Sequence, residues 1–145
     1  MPRIRKTIEI EASPEHAFNY ATSAATQTDW IKFLKQIDIT SGDGQSQGTT
    51  DRCVVKLGPR AQAVEATWTE YEPPRAFARK TTSGMEMEGR MTFQPKDGGT
   101  RVEWTIGYRP PMGPLGALMD ALVMNRVFQN EIEESLEMLK ERLEG

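Results

Sequence analysis

The sequence predicts an α+β fold in which one long C-terminal helix covers an antiparallel sheet. Three observations predict it: repeated segments with the period-two alternation of half-buried strands, two short helical segments after the first strand, and a closing helical stretch from about Pro114 to about Leu143. Runs of strands with the helices kept apart from them are typical of α+β proteins. An antiparallel sheet can bury one face under such a helix and leave the other face in water.

The chain begins with a strand and two short helices. In RIRKTIEIEA the isoleucines alternate with charged residues, as they do in a half-buried strand. A helix is expected next, because Ser13 is a favourable N-cap and Pro14 fits the first helical position. The stretch TQTDWIKFL predicts a second short helix, with Trp30 and either Phe33 or Leu34 on one side.

About six meandering strands follow the helices, separated by turns rich in glycine, serine and proline. Pro73 and Pro74 end the longest of them, because proline cannot donate a hydrogen bond to a strand ladder. KDGGT is a tight connection of the hairpin type between the last two. Each of these two strands has one apolar face, formed by Met85, Met87, Met91 and Phe93 in the first and by Val102, Trp104, Ile106 and Tyr108 in the second.

The two halves of the closing helix have different patterns. The second half carries Ile132, Leu136, Leu139 and Leu143, whose spacing of three and four residues makes a single apolar stripe. The first half, within RPPMGPLGALMDALVMNRVF, is apolar on nearly every side. A surface helix needs only one apolar stripe, so the first half requires a further explanation.

The composition excludes several classes of function. The 145 residues suffice for one domain with a sizeable core, and residues 1–145 are expected to form a single domain. The net charge of −3 provides no basic field for nucleic acid, so nucleic acid is not an expected partner. There is one cysteine, no signal-peptide pattern and no run long enough to span a bilayer. These features together favour a cytoplasmic location.

The sequence shows no legible catalytic set. His16 is the only histidine, which excludes multi-histidine metal sites, and its place at a helix start favours a solvated side chain. Cys53 has no neighbour that would lower its pKa, so we expect a buried, inert thiol. Glu65 falls on the face opposite Val64 and Ala66, and no carboxylate pair is identifiable. The pattern indicates no metal and no cofactor, and it leaves open whether the protein is an enzyme.

Three segments resemble the polyketide cyclase/dehydrase and lipid-transport group of the START/Bet v 1-like (SRPBCC) superfamily. They are IEIEASPEHAFNYATSAATQTDWIKF, VEATWTEYEPPRAFARK and GGTRVEWTIGYRPPMGPLGALMDALV. The three segments occur in the order expected for this group, and the resemblance covers nearly the whole chain. The resemblance implies a helix-grip fold: a curved antiparallel sheet of about six to seven strands, wrapped around the long C-terminal helix with a cavity between them. The first half of that helix would then line the cavity on one side.

The resemblance also implies three functions. The first is binding or transport of a hydrophobic small molecule, such as a lipid, a quinone or a polyketide-like compound, in the cavity between the sheet and the C-terminal helix. The second is a cofactor-independent enzyme of the aromatase/cyclase type, which would act by positioning a reactive chain. The third is an interaction module, such as an accessory subunit, whose apolar helix start docks to a protein partner or to a membrane face. The sequence leaves the ligand's identity and the formation of a homodimer open.

The candidate ligand-binding residues are the inward methionines and aromatic side chains together with one arginine. Methionine adapts to irregular apolar ligands and aromatic rings can hold flat ones, although both also serve as ordinary core. Arg126 interrupts the apolar pattern of the long helix at a position that points towards the sheet. We therefore expect Arg126 to be partly buried and to hold a carboxylate or a phenolate of the ligand. The alternative is an arginine on the protein surface. The full set is Trp30, Phe33, Trp68, Met85, Met87, Met91, Phe93, Trp104, Tyr108, Met119, Leu122, Val123 and Arg126.

Overall fold

The computed structural model describes residues 2–58, 60–109 and 117–145, with the backbone alone at Arg60 and at residues 117–121. Within these ranges, seven strands form one antiparallel sheet and three helices pack with it. The strands are β1 (Arg3–Ile10), β2 (Leu34–Ser41), β3 (Thr50–Leu57), β4 (Arg60–Glu72), β5 (Ala76–Ser83), β6 (Met87–Lys96) and β7 (Gly99–Tyr108). The helices are α1 (Pro14–Thr22), α2 (Gln27–Trp30) and α3 (Ala117–Glu144).

The strand order in the sheet is β1-β7-β6-β5-β4-β3-β2. Strands β2 to β7 therefore form a simple meander, and β1 closes it by pairing with β7. The two helices that follow β1 carry the chain from one edge of the sheet to the other. The predicted α+β architecture, with two short helices after the first strand and a long helix at the end, is confirmed.

The connection between β6 and β7 is the predicted tight hairpin. Asp97 and Gly98 both have positive φ angles, 49° and 82°. Two residues with positive φ give a turn whose twist matches that of the flanking strands. The turn fixes the register in which Met91 lies opposite Trp104.

The second short helix is shorter than predicted. It covers only Gln27–Trp30, whereas the helical pattern continued to Leu34. The sheet explains the difference, because the carbonyl of Phe33 accepts a hydrogen bond from the Lys56 amide at 2.8 Å and Leu34 pairs with Val55. Pairing with β3 thus takes the backbone out of the helix directly after Trp30.

The core lies between the inner face of the sheet and the helices. On α3 the predicted stripe of Ile132, Leu136, Leu139 and Leu143 is buried, and Phe128 extends it by one turn. At the other end of the core, the fully buried ring of Phe18 from α1 packs edge-on against other aromatic rings. These contacts hold the helices on one face of the sheet. The candidate site lies in the space between the sheet and the short helices.

Candidate functional site

A cavity of about 70 Å³ lies between the inner face of the sheet and residues 21–34. Strands β3 to β7 form its floor, and the end of α1, α2 and the start of β2 form its roof. Most of its wall atoms are apolar. The lining residues are Ala21, Gln27, Trp30, Ile31, Phe33, Leu34, Cys53, Val55, Val64, Ala66, Phe77, Arg79, Lys80, Thr81, Met87, Glu88, Gly89, Met91, Trp104 and Ile106.

Three aromatic rings form one wall of this cavity. The ring centres of Trp30 and Trp104 are 5.2 Å apart, and Phe33 stacks on Trp104 with centres 6.0 Å apart. Helix α2 positions Trp30, whose indole Nε1 donates a hydrogen bond to the Ala21 carbonyl at 3.3 Å. Close ring pairs of this kind give a rigid apolar surface.

A buried ion pair borders the cavity, with Arg79 on the cavity floor and Asp51 behind it. Arg79 on β5 donates from Nε and Nη2 to the two carboxylate oxygens of Asp51 on β3, at 2.9 and 2.6 Å, and Trp68 Nε1 donates to the same carboxylate at 2.8 Å. The Asp51 side chain is fully buried, whereas that of Arg79 is 22% exposed. The pair thus places a polar but charge-balanced group in an apolar wall.

The two charges stabilise one another. Burial lowers the pKa of Arg79, but the adjacent Asp51 carboxylate outweighs this effect and raises the pKa above its ordinary value. The guanidinium therefore stays charged, and removing either partner would leave a buried charge without its counter-charge.

Cys53 lies beside this ion pair as a buried thiol. Its Sγ accepts a hydrogen bond from Arg79 Nη2 at 3.6 Å. Burial raises the pKa of Cys53, and the nearby guanidinium offsets this only in part. The thiol form therefore predominates at neutral pH, which makes Cys53 a poor nucleophile.

A wider hollow of about 620 Å³ lies on the outer face of the sheet. Charged side chains line it and form ion pairs, with Arg3 and Arg90 each 2.8 Å from the carboxylate of Glu88 and Glu70, respectively. Such a surface is well solvated and open, so it does not suit an apolar ligand.

The structure brings five of the predicted site residues together on the cavity wall. They are Trp30, Phe33, Met87, Met91 and Trp104. Three further residues, Trp68, Phe93 and Tyr108, are buried in the core and do not line the cavity. Met85 does not line it either and is only partly buried against the core. The side chain of Met119 lies outside the described residues.

Three predicted site residues on α3 do not line the cavity. Arg126 is exposed, and Leu122 and Val123 are 64% and 60% exposed. The buried stripe that begins at Phe128 turns these side chains away from the sheet. The expectation that Arg126 is partly buried is therefore wrong, and no α3 side chain described from Leu122 onward lines the cavity.

The sequence did not lead us to the buried ion pair or to Gln27. Asp51 alternates with Cys53 and shares its inward face, and Arg79 alternates with Phe77 in the same way. The period-two pattern was therefore enough to place both charged side chains on the inner face of the sheet. Gln27, which is 1% exposed and also lines the cavity, gave no comparable signal.

Two further observations concern the described part of the chain. No helix within it is both long and apolar enough to cross a bilayer. No group of three or more histidine, cysteine, aspartate or glutamate side chains within residues 2–58, 60–109 and 122–145 could hold a metal ion.

Comparison with known proteins supports the fold over the full length. The model of the family described as "Polyketide cyclase / dehydrase and lipid transport" matches residues 1–144. No curated protein matches the sequence significantly.

Solved structures of similar proteins share the architecture at low sequence identity. The protein TTHA0849 from Thermus thermophilus superposes with a TM-score of 0.80 at 24% identity, covering 98% of this chain and 97% of that one. The Zhui aromatase/cyclase from a Streptomyces species gives 0.83 at 13% identity, covering 99% and 93%. A START superfamily protein from Mycobacterium smegmatis gives 0.78 at 15% identity, covering 98% and 97%. The helix-grip fold expected from the resemblance is thus confirmed.

Proposed function

Because the chain belongs to the polyketide cyclase/dehydrase and lipid transport family, we propose that it binds a hydrophobic small molecule in the cavity between the sheet and residues 21–34. The ligand would be a lipid, a quinone or a polyketide-like compound. The observation that carries the proposal is the wall itself, in which Trp30, Phe33 and Trp104 face an apolar space floored by Met87 and Met91. Ligand pockets are mostly apolar and aromatic, with a few placed polar groups, and Arg79 supplies such a group here.

The size of the cavity implies that its wall moves when a ligand enters. Its volume of about 70 Å³ is below the roughly 300–1,000 Å³ of typical ligand pockets. Met87 and Met91 are the side chains best able to yield, since methionine has flexible torsions and fills irregular space. Met87 is only partly buried, so its movement would also widen the opening of the cavity.

An enzyme of the aromatase/cyclase type is the second candidate. The observation that favours it is the presence of Arg79 and Gln27 in an otherwise apolar cavity, where polar groups could position a reactive chain. The bound molecule can be isolated and then added back to the empty protein. Its conversion into a product would support the enzyme. Recovery of the molecule unchanged would favour binding without turnover.

Native mass spectrometry of gently purified protein, followed by solvent extraction, tests the proposal. Gly89→Val provides a variant with a filled cavity, because a Cβ at this position would lie 3.5 Å from Trp104 Nε1, at ordinary contact distance. Ala63→Val adds two methyl groups at an exposed position on β4 and serves as the matched control.

We expect wild type and Ala63→Val to carry a hydrophobic molecule and Gly89→Val to lose most of it. An empty wild-type protein that also binds no lipid, quinone or aromatic polyketide from a panel would refute the proposal.

A further inference from the structure

One side-chain atom on the cavity wall is a buried hydrogen-bond acceptor without a donor. Gln27 Nε2 donates to the Thr22 carbonyl at 3.0 Å, and Oε1 has no partner among the described residues. The orientation of the amide is determined, because a carbonyl can only accept and so must face the NH2 group. Oε1 is therefore the end of Gln27 that is left for another molecule.

An indole N–H group also lies on the same wall. Trp30 Nε1 and Trp68 Nε1 both donate to protein acceptors, whereas Trp104 Nε1 makes no hydrogen bond to the described residues. Trp104 is only 6% exposed and lines the cavity beside Gly89. The N–H of Trp104 is therefore a donor that a ligand in the cavity can use.

Ordinary packing does not explain this arrangement. Buried polar atoms in folded proteins are nearly always hydrogen-bonded, and an exception calls for a specific cause. The other unpaired buried atom among the described side chains, Thr49 Oγ1, does not line the cavity and so has no bearing on the ligand. Gln27, by contrast, lines the cavity, as Trp104 does.

We infer that Gln27 determines the specificity of this cavity by requiring a hydrogen-bond donor, a hydroxyl or N–H group, on the ligand. Trp104 Nε1 and the guanidinium of Arg79 are the matching donors for a carbonyl-type oxygen elsewhere on the same molecule. The inference rests on the proposed binding function and narrows the ligand to a hydrophobic molecule that carries both groups.

The ion pair adds a preference for a neutral ligand. Asp51 already balances the charge of Arg79 through two hydrogen bonds. A ligand carboxylate would place an uncompensated negative charge in an apolar cavity, which is strongly unfavourable. A ketone or ester oxygen gains the hydrogen bond without that penalty, so this cavity favours neutral molecules over acids.

A matched pair of ligands tests the role of Gln27. The probes are 6-acetyl-2-naphthol and its methyl ether, which share the carbonyl and the ring system and differ in the hydroxyl donor. Isothermal titration calorimetry is run below the pKa of the naphthol, on wild type, on Gln27→Leu, and on Gln94→Leu, which makes the same change at an exposed position of β6.

We expect wild type and Gln94→Leu to bind the naphthol about tenfold more tightly than the ether, since one hydrogen bond to an otherwise unpaired buried acceptor is lost in the ether. In Gln27→Leu the ratio of the two affinities, naphthol to ether, should fall close to one, while the affinity for the ether stays the same. Gln27→Met replaces this variant if Gln27→Leu does not fold.

Two outcomes would overturn the inference and are distinguishable from failure of the proposed function. Equal binding of both compounds by wild type, or a tenfold ratio that persists in Gln27→Leu, would remove the role of Gln27 and leave hydrophobic binding intact. Absence of binding by either compound, with an empty protein in the extraction experiment, would remove the binding function itself.

Discussion

At the scale of single residues, the most informative feature is the charged pair within an apolar sheet face. Asp51 and Arg79 lie on strands that are not neighbours, so their side chains meet across β4, where Trp68 also donates to the carboxylate. Alternation along each strand could have predicted that both side chains point inward. Their direct contact could not be predicted in this way, because it depends on the strand order and on the irregular pairing between Trp68 and Glu70.

The pair predicts a strongly non-additive mutational effect. Asp51→Asn and Arg79→Met should each lower the free energy of unfolding by about 3–5 kcal/mol, because each leaves one charge without its counter-charge. The double variant should lose clearly less free energy of unfolding than the two single variants together, since it leaves neither charge in the core. Urea unfolding at neutral pH measures all four proteins, and losses that simply add would show that the two side chains are energetically independent.

At the scale of elements, α3 acts on the cavity indirectly from Leu122 onward. The side chains of its first turns, which were expected to form a wall, lie outside the described residues up to residue 121. The part of the helix that follows secures the roof. Ser135 Oγ accepts a hydrogen bond from the Lys32 amide at 2.8 Å, and the ring of Phe128 packs edge-on against Phe33 with centres 5.7 Å apart. The apolar stripe of α3 was predictable from its spacing, whereas these contacts depend on where the chain leaves α2.

Two leucines of α3 distinguish its buried face from its exposed face. Leu136→Ala should lower the free energy of unfolding by about 2–5 kcal/mol, as expected for a truncation in a packed core. Leu122→Ala should change it by no more than about 0.5 kcal/mol, because the side chain is 64% exposed. Thermal or urea unfolding of the two variants provides the comparison, and a similar loss in both would place Leu122 in the core after all.

At the scale of the whole molecule, the sequence predicts the fold better than it predicts the cavity. Alternating strands, proline stops and the KDGGT hairpin specify the order of elements locally. Whether an inward side chain lines a gap or fills the core is decided by its neighbours from distant segments. Trp68 stacks on Tyr71 with ring centres 5.8 Å apart, and Phe93 packs edge-on against Phe18 at 5.3 Å, so both fill the core.

The central claim is that a hydrophobic molecule binds between the sheet and residues 21–34, and the tryptophan side chains can report on it directly. The measurement is a titration of 15N-labelled protein with 6-acetyl-2-naphthol, followed by NMR through the indole N–H signals. We expect the Trp104 signal to shift most and to saturate, because its Nε1 faces the cavity and gains an acceptor, while the Trp68 signal, bonded to Asp51, shifts little. Binding that leaves the Trp104 signal unchanged, with shifts only on the outer face of the sheet or along the exposed side of α3, would contradict the account.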